Sequence, residues 1–373
     1  MIYVVQPGDT LWAISRRFGV AVAEIAWLNQ IPDPNVLVAG QALLLERGEA
    51  QGPWTLEVNG FAYPFISRWV LDQTLPFLNL LSVFSYGFTP DGALIPPPLN
   101  DRWMVERAAE QGVRSALVLT PMDRRGQFNN LLIHDLLSSP EAQQRLLGEI
   151  QATMAQVGYG ELNIDFEFVL AEDRDALVAF VQLAADTLAE PVSVCLAPKT
   201  SRNQPGLLYE GKDYAGLGAA ADRVLLMTYE WGYKYGPPMA VAPLESVRRV
   251  VEYALTEIPR EKISLGLANY GYDWPLPFVQ GTTRAQSISN QRAIELAIQH
   301  NIAIQYDETA QSPFFHYTDA AGAVHEVWFE DARSLSAKLK LIAEYGFRGV
   351  GFWNLMRPFS QTWLVLDSLY HVE

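Results

Sequence analysis

Eight short apolar runs recur along this chain, each separated from the next by a segment of helical character. They are Leu56–Phe61, Leu80–Ser85, Ser115–Leu119, Glu161–Asp165, Val192–Leu196, Arg223–Met227, Ile263–Leu267 and Gly349–Phe352. Strands and helices alternating in this number, over about 320 residues, are the pattern of an α/β fold, the (β/α)8 TIM barrel. In such a barrel an active site lies at the C-terminal ends of the strands.

The spacing is broken once. Between the seventh and eighth runs the gap is too long for one helix, and it reads as a small α+β insertion over about residues 272–330. The expected order is a helix over Gln286–His300, then strands Ile302–Tyr306, Phe314–Thr318 and Glu326–Phe329. Asp319-Ala320-Ala321-Gly322 supplies a hairpin turn between the last two. This insertion is expected to wall one side of the barrel mouth.

Residues 1–46 read as a separate βααβ unit. Ile2–Val5 is a short strand, and Gly8-Asp9-Thr10 is a turn that caps a helix running to about Phe18. A second helix covers about Val22–Asn29, a Pro-rich loop surrounds Ile31-Pro32-Asp33-Pro34, and Gln41–Leu45 closes the unit as a strand. A polar stretch, residues 47–53, reads as a linker to the barrel at residues 54–373. So small a unit has a thin core of its own, which suits a binding module.

Composition narrows the partners. Hydrophobic residues make up 49% and charged residues 18%, as in an ordered globular chain. The formal net charge of -15 argues against nucleic acid or an anionic membrane surface, which basic patches hold. No apolar stretch approaches the roughly 18 residues of a membrane span, and the N-terminal residues carry no signal-peptide pattern. Aromatic residues reach 12%, with 10 Trp, and flat rings suit the apolar faces of sugars. Cys195, the sole cysteine, lies in an apolar run and is expected to be a buried, inert thiol. The five His residues show no metal-ligand spacing, and no metal or cofactor is expected.

The fourth run ends Leu162-Asn163-Ile164-Asp165-Phe166-Glu167. Strand side chains alternate, so Asn163, Asp165 and Glu167 share one face while Ile164 and Phe166 share the other. The apolar pair suits the helix-facing side, which turns two carboxylates and an amide into the barrel. Two adjacent buried carboxylates cannot both ionise cheaply, so one is expected to keep its proton as a general acid must. A structural ion pair would instead need a cation nearby, for which Lys199 is the visible candidate.

This run resembles the signature of family 18 glycoside hydrolases, Asp-x-x-Asp-x-Asp-x-Glu. The resemblance makes Glu167 the acid and Asp165 the residue that orients the substrate's acetamido group. Asn163 stands where chitinases usually carry Asp, and Gly160 replaces the first Asp. Met227-Thr228-Tyr229-Glu230 is similar to the family's Met-x-Tyr-Asp, with Glu for Asp. It implies that Tyr229 hydrogen-bonds the acetamido carbonyl and that Met227 and Glu230 border the substrate. Gly351-Phe352-Trp353-Asn354 matches the family's terminal Trp, so Trp353 would floor the subsite of the reacting sugar. The first unit, Tyr3-Val4-Val5-Gln6-Pro7-Gly8-Asp9-Thr10-Leu11-Trp12-Ala13-Ile14-Ser15 with Leu28-Asn29 and Gly40-Gln41-Ala42-Leu43, resembles the LysM domain. LysM modules bind chains of N-acetylglucosamine, and the family's groove implies contacts at Gly8, Asp9, Thr10, Ile31 and Pro32.

Further stretches, among them Asn269-Tyr270-Gly271-Tyr272-Asp273-Trp274 and His325–Asp331, resemble the LysM-bearing spore enzymes of endospore-forming bacteria. Those act as N-acetylglucosaminidases on cortex peptidoglycan, often with two LysM modules where this chain shows one. The resemblance implies a retaining mechanism in which the substrate's own acetamido oxygen is the nucleophile. It also implies a peptidoglycan or chitin-type glycan as partner, a monomer, and a place in the cortex or coat layer after synthesis in the mother cell. A chitinase is the alternative within the class. A non-catalytic glycan-binding wall protein is the alternative outside it, opposed by the presence of Glu167. The LysM module is expected to be an anchor, dispensable for hydrolysis of short soluble fragments.

Overall fold

The computed structural model describes residues 1–48 and 54–372, so most of the expected linker, residues 49–53, lies outside the described residues. The chain opens with strand β1 (Ile2–Val4), which pairs antiparallel with β2 (Ala42–Leu44). Between them lie helices Leu11–Phe18 and Val22–Leu28. Thr10 starts the first by accepting a hydrogen bond from the Ala13 amide at 3.1 Å, and Gly19, at φ 72°, ends it in the left-handed conformation.

The barrel strands follow: β3 (Thr55–Ala62), β4 (Leu80–Phe88, with the short β5 at Leu94–Ile95 hairpinned onto its end), β6 (Arg114–Leu119), β7 (Glu161–Ile164), β8 (Val192–Leu196), β9 (Arg223–Leu226) and β10 (Ile263–Ala268). The insertion comes next, as β11 (Gly271–Leu276), β12 (Gln286–Ile288), β13 (Gln305–Asp307), β14 (Ser312–Thr318) and β15 (Val324–Trp328). Then β16 (Gly349–Trp353) completes the barrel, and a last short strand β17 (His371–Val372) lies beside β3.

All eight barrel strands are parallel, and β3 pairs with both β16 and β4, so the sheet closes with no free edge. Helices from each crossover cover the outside, and the apolar residues of strand and helix form one continuous core. The bottom of the barrel is tied by charge. Glu57 and Glu161, both buried, meet Arg114, Arg223 and Arg348, a network at the N-terminal end of the strands, the face of such a barrel that serves stability. Higher in the lumen Phe61, Phe84, Val118, Cys195, Leu225 and Met227 pack together beneath the mouth. The Cys195 thiol is buried there.

The insertion folds as a five-stranded antiparallel sheet in the order β12-β11-β15-β14-β13. Its helix is shorter than the apolar pattern predicts. Gln286–Ile288 is strand, pairing with Gly271–Asp273, and the helix is Asn290–Gln299, capped by Ser289. The cap decides this boundary, because the Ser289 hydroxyl accepts from the Arg292 amide at 3.0 Å. The turn at Asp319–Gly322 forms as expected, with Asp319 accepting from the amides of Ala321 and Ala323.

The first module is not held by a tether alone. Leu28, Val38 and Leu44 face away from its small core and join the core of the barrel. The buried Gln361 amide donates to Asn29 Oδ1 at 2.8 Å and to the Ala42 carbonyl at 2.9 Å, and its oxygen accepts from the Ala332 amide. The Ser360 hydroxyl donates to the Leu28 carbonyl at 2.7 Å, and the Ile304 amide donates to the Ala39 carbonyl at 2.9 Å. Gly40 is required at this contact, since a Cβ there would lie 1.8 Å from the Ile304 oxygen. No helix among the described residues is long and apolar enough to cross a membrane.

Candidate active site

The ends of β7, β9 and β16 converge on a cleft of about 350 Å³ at the C-terminal face of the barrel. Beyond Ile164 the fourth strand continues its alternation, with the Asp165 amide donating to the Leu119 carbonyl at 2.9 Å. Phe166 turns outward against Phe88 and Phe180, at ring centroid distances of 5.5 and 6.1 Å. Asp165 and Glu167 line the cleft on the other side.

At the end of β9 the Thr228 hydroxyl donates to the Gly266 carbonyl at 2.7 Å, which anchors the strand end and sets Tyr229 into the cleft. Gly266 leaves the space for that ring, because a Cβ there would come within 3.0 Å of Tyr229 Cε1. Glu230 follows with φ at 67°, an unusual conformation for a non-glycine residue, and its carboxylate accepts from the hydroxyls of Tyr270 and Tyr272. Trp353 forms the floor, met edge-on by Phe84 at 4.8 Å and by Phe61 and Tyr63 at 6.0 Å.

Electrostatically the cleft holds three carboxylates, two of which, Asp165 and Glu167, interact with one buried ammonium. Burial, with the charge of Glu167 beside it, raises the Asp165 pKa, and burial raises those of Glu167 and Glu230. Lys212, fully buried, opposes the rise of Asp165 and Glu167, and burial pulls its own pKa down to about 8. The upward shift of Glu167 is in the direction that a general acid requires. One oxygen of Asp165, Oδ1, is buried with no hydrogen-bond partner among the described residues. An orphaned buried acceptor is costly unless a ligand donor reaches it.

Residues 126–357 match the glycosyl hydrolases family 18, and residues 3–45 match the LysM domain. The chain belongs to glycosyl hydrolase family 18. It is 40% identical to the cortical fragment-lytic enzyme of Bacillus subtilis (strain 168), over 100% of this chain and 98% of that one. The spore cortex-lytic enzyme SleL of Bacillus megaterium QM B1551 superposes with a TM-score of 0.93 at 34% identity, covering 100% of this chain and 98% of that one. The spore cortex-lytic enzyme SleL of Bacillus cereus gives 0.82 at 36%, over 99% of this chain and 86% of that one.

In this glycoside hydrolase the structure brings Asp165, Glu167, Met227, Tyr229, Glu230 and Trp353 to one cleft. Asn163 lies below it. Its amide donates to Ser193 Oγ at 2.9 Å and its oxygen accepts from the Cys195 thiol, so it braces the lumen beneath Asp165 rather than facing substrate. In the LysM module Asp9 is occupied by its own turn, accepting from the Tyr3 hydroxyl at 2.6 Å and the Gln6 amide at 2.8 Å. Ile31 and Pro32 line a groove against the barrel, which Gly8, Asp9 and Thr10 do not.

Lys199 is not the cation of the site. Its ammonium donates to the carbonyls of Arg202 and Lys212. The cation is Lys212, brought under the cleft by a loop whose Gly211 packs on Val169, where a Cβ would meet a carbonyl oxygen at 2.3 Å. No local pattern marks Lys212 in the sequence. Tyr63, Phe84, Phe128 and Tyr272 also line the cleft without having been singled out as site residues. Tyr272 lies within the stretch Asn269–Trp274, which carries the resemblance to the spore enzymes and was the available signal.

Proposed function

We propose that the protein is a retaining, substrate-assisted N-acetylglucosaminidase acting on spore cortex peptidoglycan or its fragments, as a monomer. The observation that carries the reading is the pairing of Asp165, with its unpartnered oxygen, and Glu167 in one buried cleft over Trp353. Asp165 Oδ1 accepts the N–H of the substrate's acetamido group, and the Tyr229 hydroxyl donates to its carbonyl oxygen. Held so, that oxygen attacks the anomeric carbon while Glu167 protonates the leaving oxygen, and the C–O bond breaks to leave an oxazolinium ion. The Glu167 carboxylate then takes a proton from water, which opens the ion with retention. The cortex as substrate is supported by the likeness to the cortical fragment-lytic enzyme of Bacillus subtilis (strain 168) and the two spore cortex-lytic enzymes. A spore-associated place of action, reached from the mother cell, follows from the same reading.

The mechanism also selects the bond. Muramic lactam has its amide nitrogen tied in a ring, so it offers no free acetamido group, and next to lactam sugars only N-acetylglucosamine can occupy the reacting subsite. Mass spectrometry of fragments released from purified cortex is expected to find reducing N-acetylglucosamine ends. Reducing muramic or lactam ends as main products would overturn the proposal. Proton NMR of the first product formed is expected to show the retained anomer.

A further inference from the structure

A cavity of about 630 Å³ lies away from the carboxylates, where the LysM module meets the barrel. Its volume is that of a ligand site, which typically occupies about 300–1,000 Å³. Trp27 and Ile31 come from the module, Trp69 and Phe77 from the barrel side, and Phe359 and Trp363 lie between them. Trp27 and Trp69 are 66% and 61% exposed. Two indoles left facing water in one groove are a binding feature rather than core.

The lining offers no unpaired charge. Arg47 is bonded to Asp367 at 3.3 Å and Asp72 to Arg107 at 2.6 Å. What remains is flat apolar surface with the amides of Gln30 and Gln73 at the edge, complementary to a neutral ligand with apolar faces and hydroxyl rims. A short aromatic segment of the chain also leads from the cleft toward the groove. Tyr63 meets Trp353 in the floor and stacks on Phe65 at 5.0 Å, and Phe65 is 64% exposed outside it. The same segment runs on to Ser67, whose hydroxyl caps helix Arg68–Thr74 and so places Trp69 in its first turn. Tyr63, Phe65 and Trp69 thus bring aromatic rings to the cleft, to the surface beside it and to the groove within seven residues of chain.

We propose that this groove is a second glycan-binding site, in which Trp27 and Trp69 stack on sugars of the same β-1,4-linked strand whose N-acetylglucosamine lies over Trp353. The inference rests on the glycan substrate proposed above. Because the module is packed on the barrel, the two sites are held at a fixed separation, and a strand caught in one is presented to the other at high effective concentration.

The test uses the full chain carrying Glu167→Gln, so that binding is measured without turnover. Calorimetric titration with the β-1,4-linked hexamer and dimer of N-acetylglucosamine, and sedimentation with purified cortex, compare this parent with the added pair Trp27→Ala and Trp69→Ala. The expected result is at least a tenfold loss of affinity for hexamer and cortex, with a smaller loss for the dimer. Trp69→Phe, which keeps a ring, is expected to retain most of the affinity. Both rings are exposed, so the melting temperature is expected to hold, and it serves as the control for folding. Equal binding of hexamer and cortex by parent and double variant would overturn the groove as a glycan site. Failure of the parent itself to bind either would overturn the glycan reading of the whole protein, and this inference with it.

Discussion

The ammonium of Lys212 donates to the backbone carbonyl of Phe166, the residue that separates Asp165 from Glu167. One buried cation thus fixes the peptide that aims both carboxylates, and its charge favours their ionised forms. Lys212→Met keeps much of the length and removes the charge. Both carboxyl pKa values are then expected to rise, moving the alkaline limb of kcat/KM upward by on the order of one pH unit. A lower kcat is expected alongside, because the Phe166 carbonyl loses its donor. An unmoved pH profile would mean that Lys212 only fills space.

Glu167→Gln is expected to lower turnover by about 10²–10⁴-fold while leaving the fold intact. Its effect on stability has a definite sign. Burial raises the Glu167 pKa from its ordinary 4.5, so the folded state holds a proton that the unfolded chain releases. That contribution is present below pH 4.5 and is lost as pH rises through the folded value. The variant is therefore expected to melt above the wild type at pH 8, with the gap closing toward pH 4. Melting curves across that range check it.

Tyr229→Phe tests the proposed hydrogen bond from this hydroxyl to the acetamido carbonyl. Burial, with Cys195, Asp165 and Glu167 around it, holds the phenol far above its usual pKa, so it stays a donor throughout any assay range. Its loss is expected to lower kcat by about 10²–10³-fold, as for removal of a donor that meets developing charge. The shape of the pH profile is expected to persist. Single-turnover kinetics on a soluble fragment would read this directly.

Gln361→Ala separates packing from tethering. It leaves the Ala42 carbonyl, Asn29 Oδ1 and the Ala332 amide each without one buried partner. The expected cost is about 1–3 kcal/mol per group left unsatisfied, seen as a fall of several degrees in melting temperature. Deleting residues 1–46 is expected to cost more, since it also bares the core that Leu28, Val38 and Leu44 cover. A barrel that melts unchanged without the module would restore the plain anchor expected from the sequence.

Periodicity made the architecture legible. Apolar runs at Leu80–Ser85, Val192–Leu196 and Ile263–Leu267 are strands within a few residues, because a strand buried on both faces can contain little else. Tyr229 and Trp353 were legible through the family resemblance of their strand ends, whereas Asp165 and Glu167 were legible for a reason related to periodicity. Alternation assigns a face from neighbours in sequence, and the barrel assigns the end of the strand. Gln286–Ile288 was read as helix because a short apolar segment before a helix has no period of its own, and the Ser289 cap was the decisive local signal.

What the tertiary structure alone decided depends on residues far apart in the chain. Lys212 reaches Phe166 across 46 positions, and Gln361 reaches Asn29 across 332. No local pattern encodes either meeting, since each follows from how crossover helices and loops pack once the barrel has closed. The same holds for Asn163, which strand alternation turns inward but whose neighbours Ser193 and Cys195 take up its amide below the cleft. Sequence determined the barrel, the module and the carboxylate pair, each written in contiguous residues. Packing decided which cation tunes that pair and how firmly the module is joined to the barrel, because both rest on contacts between segments that only the folded chain brings together.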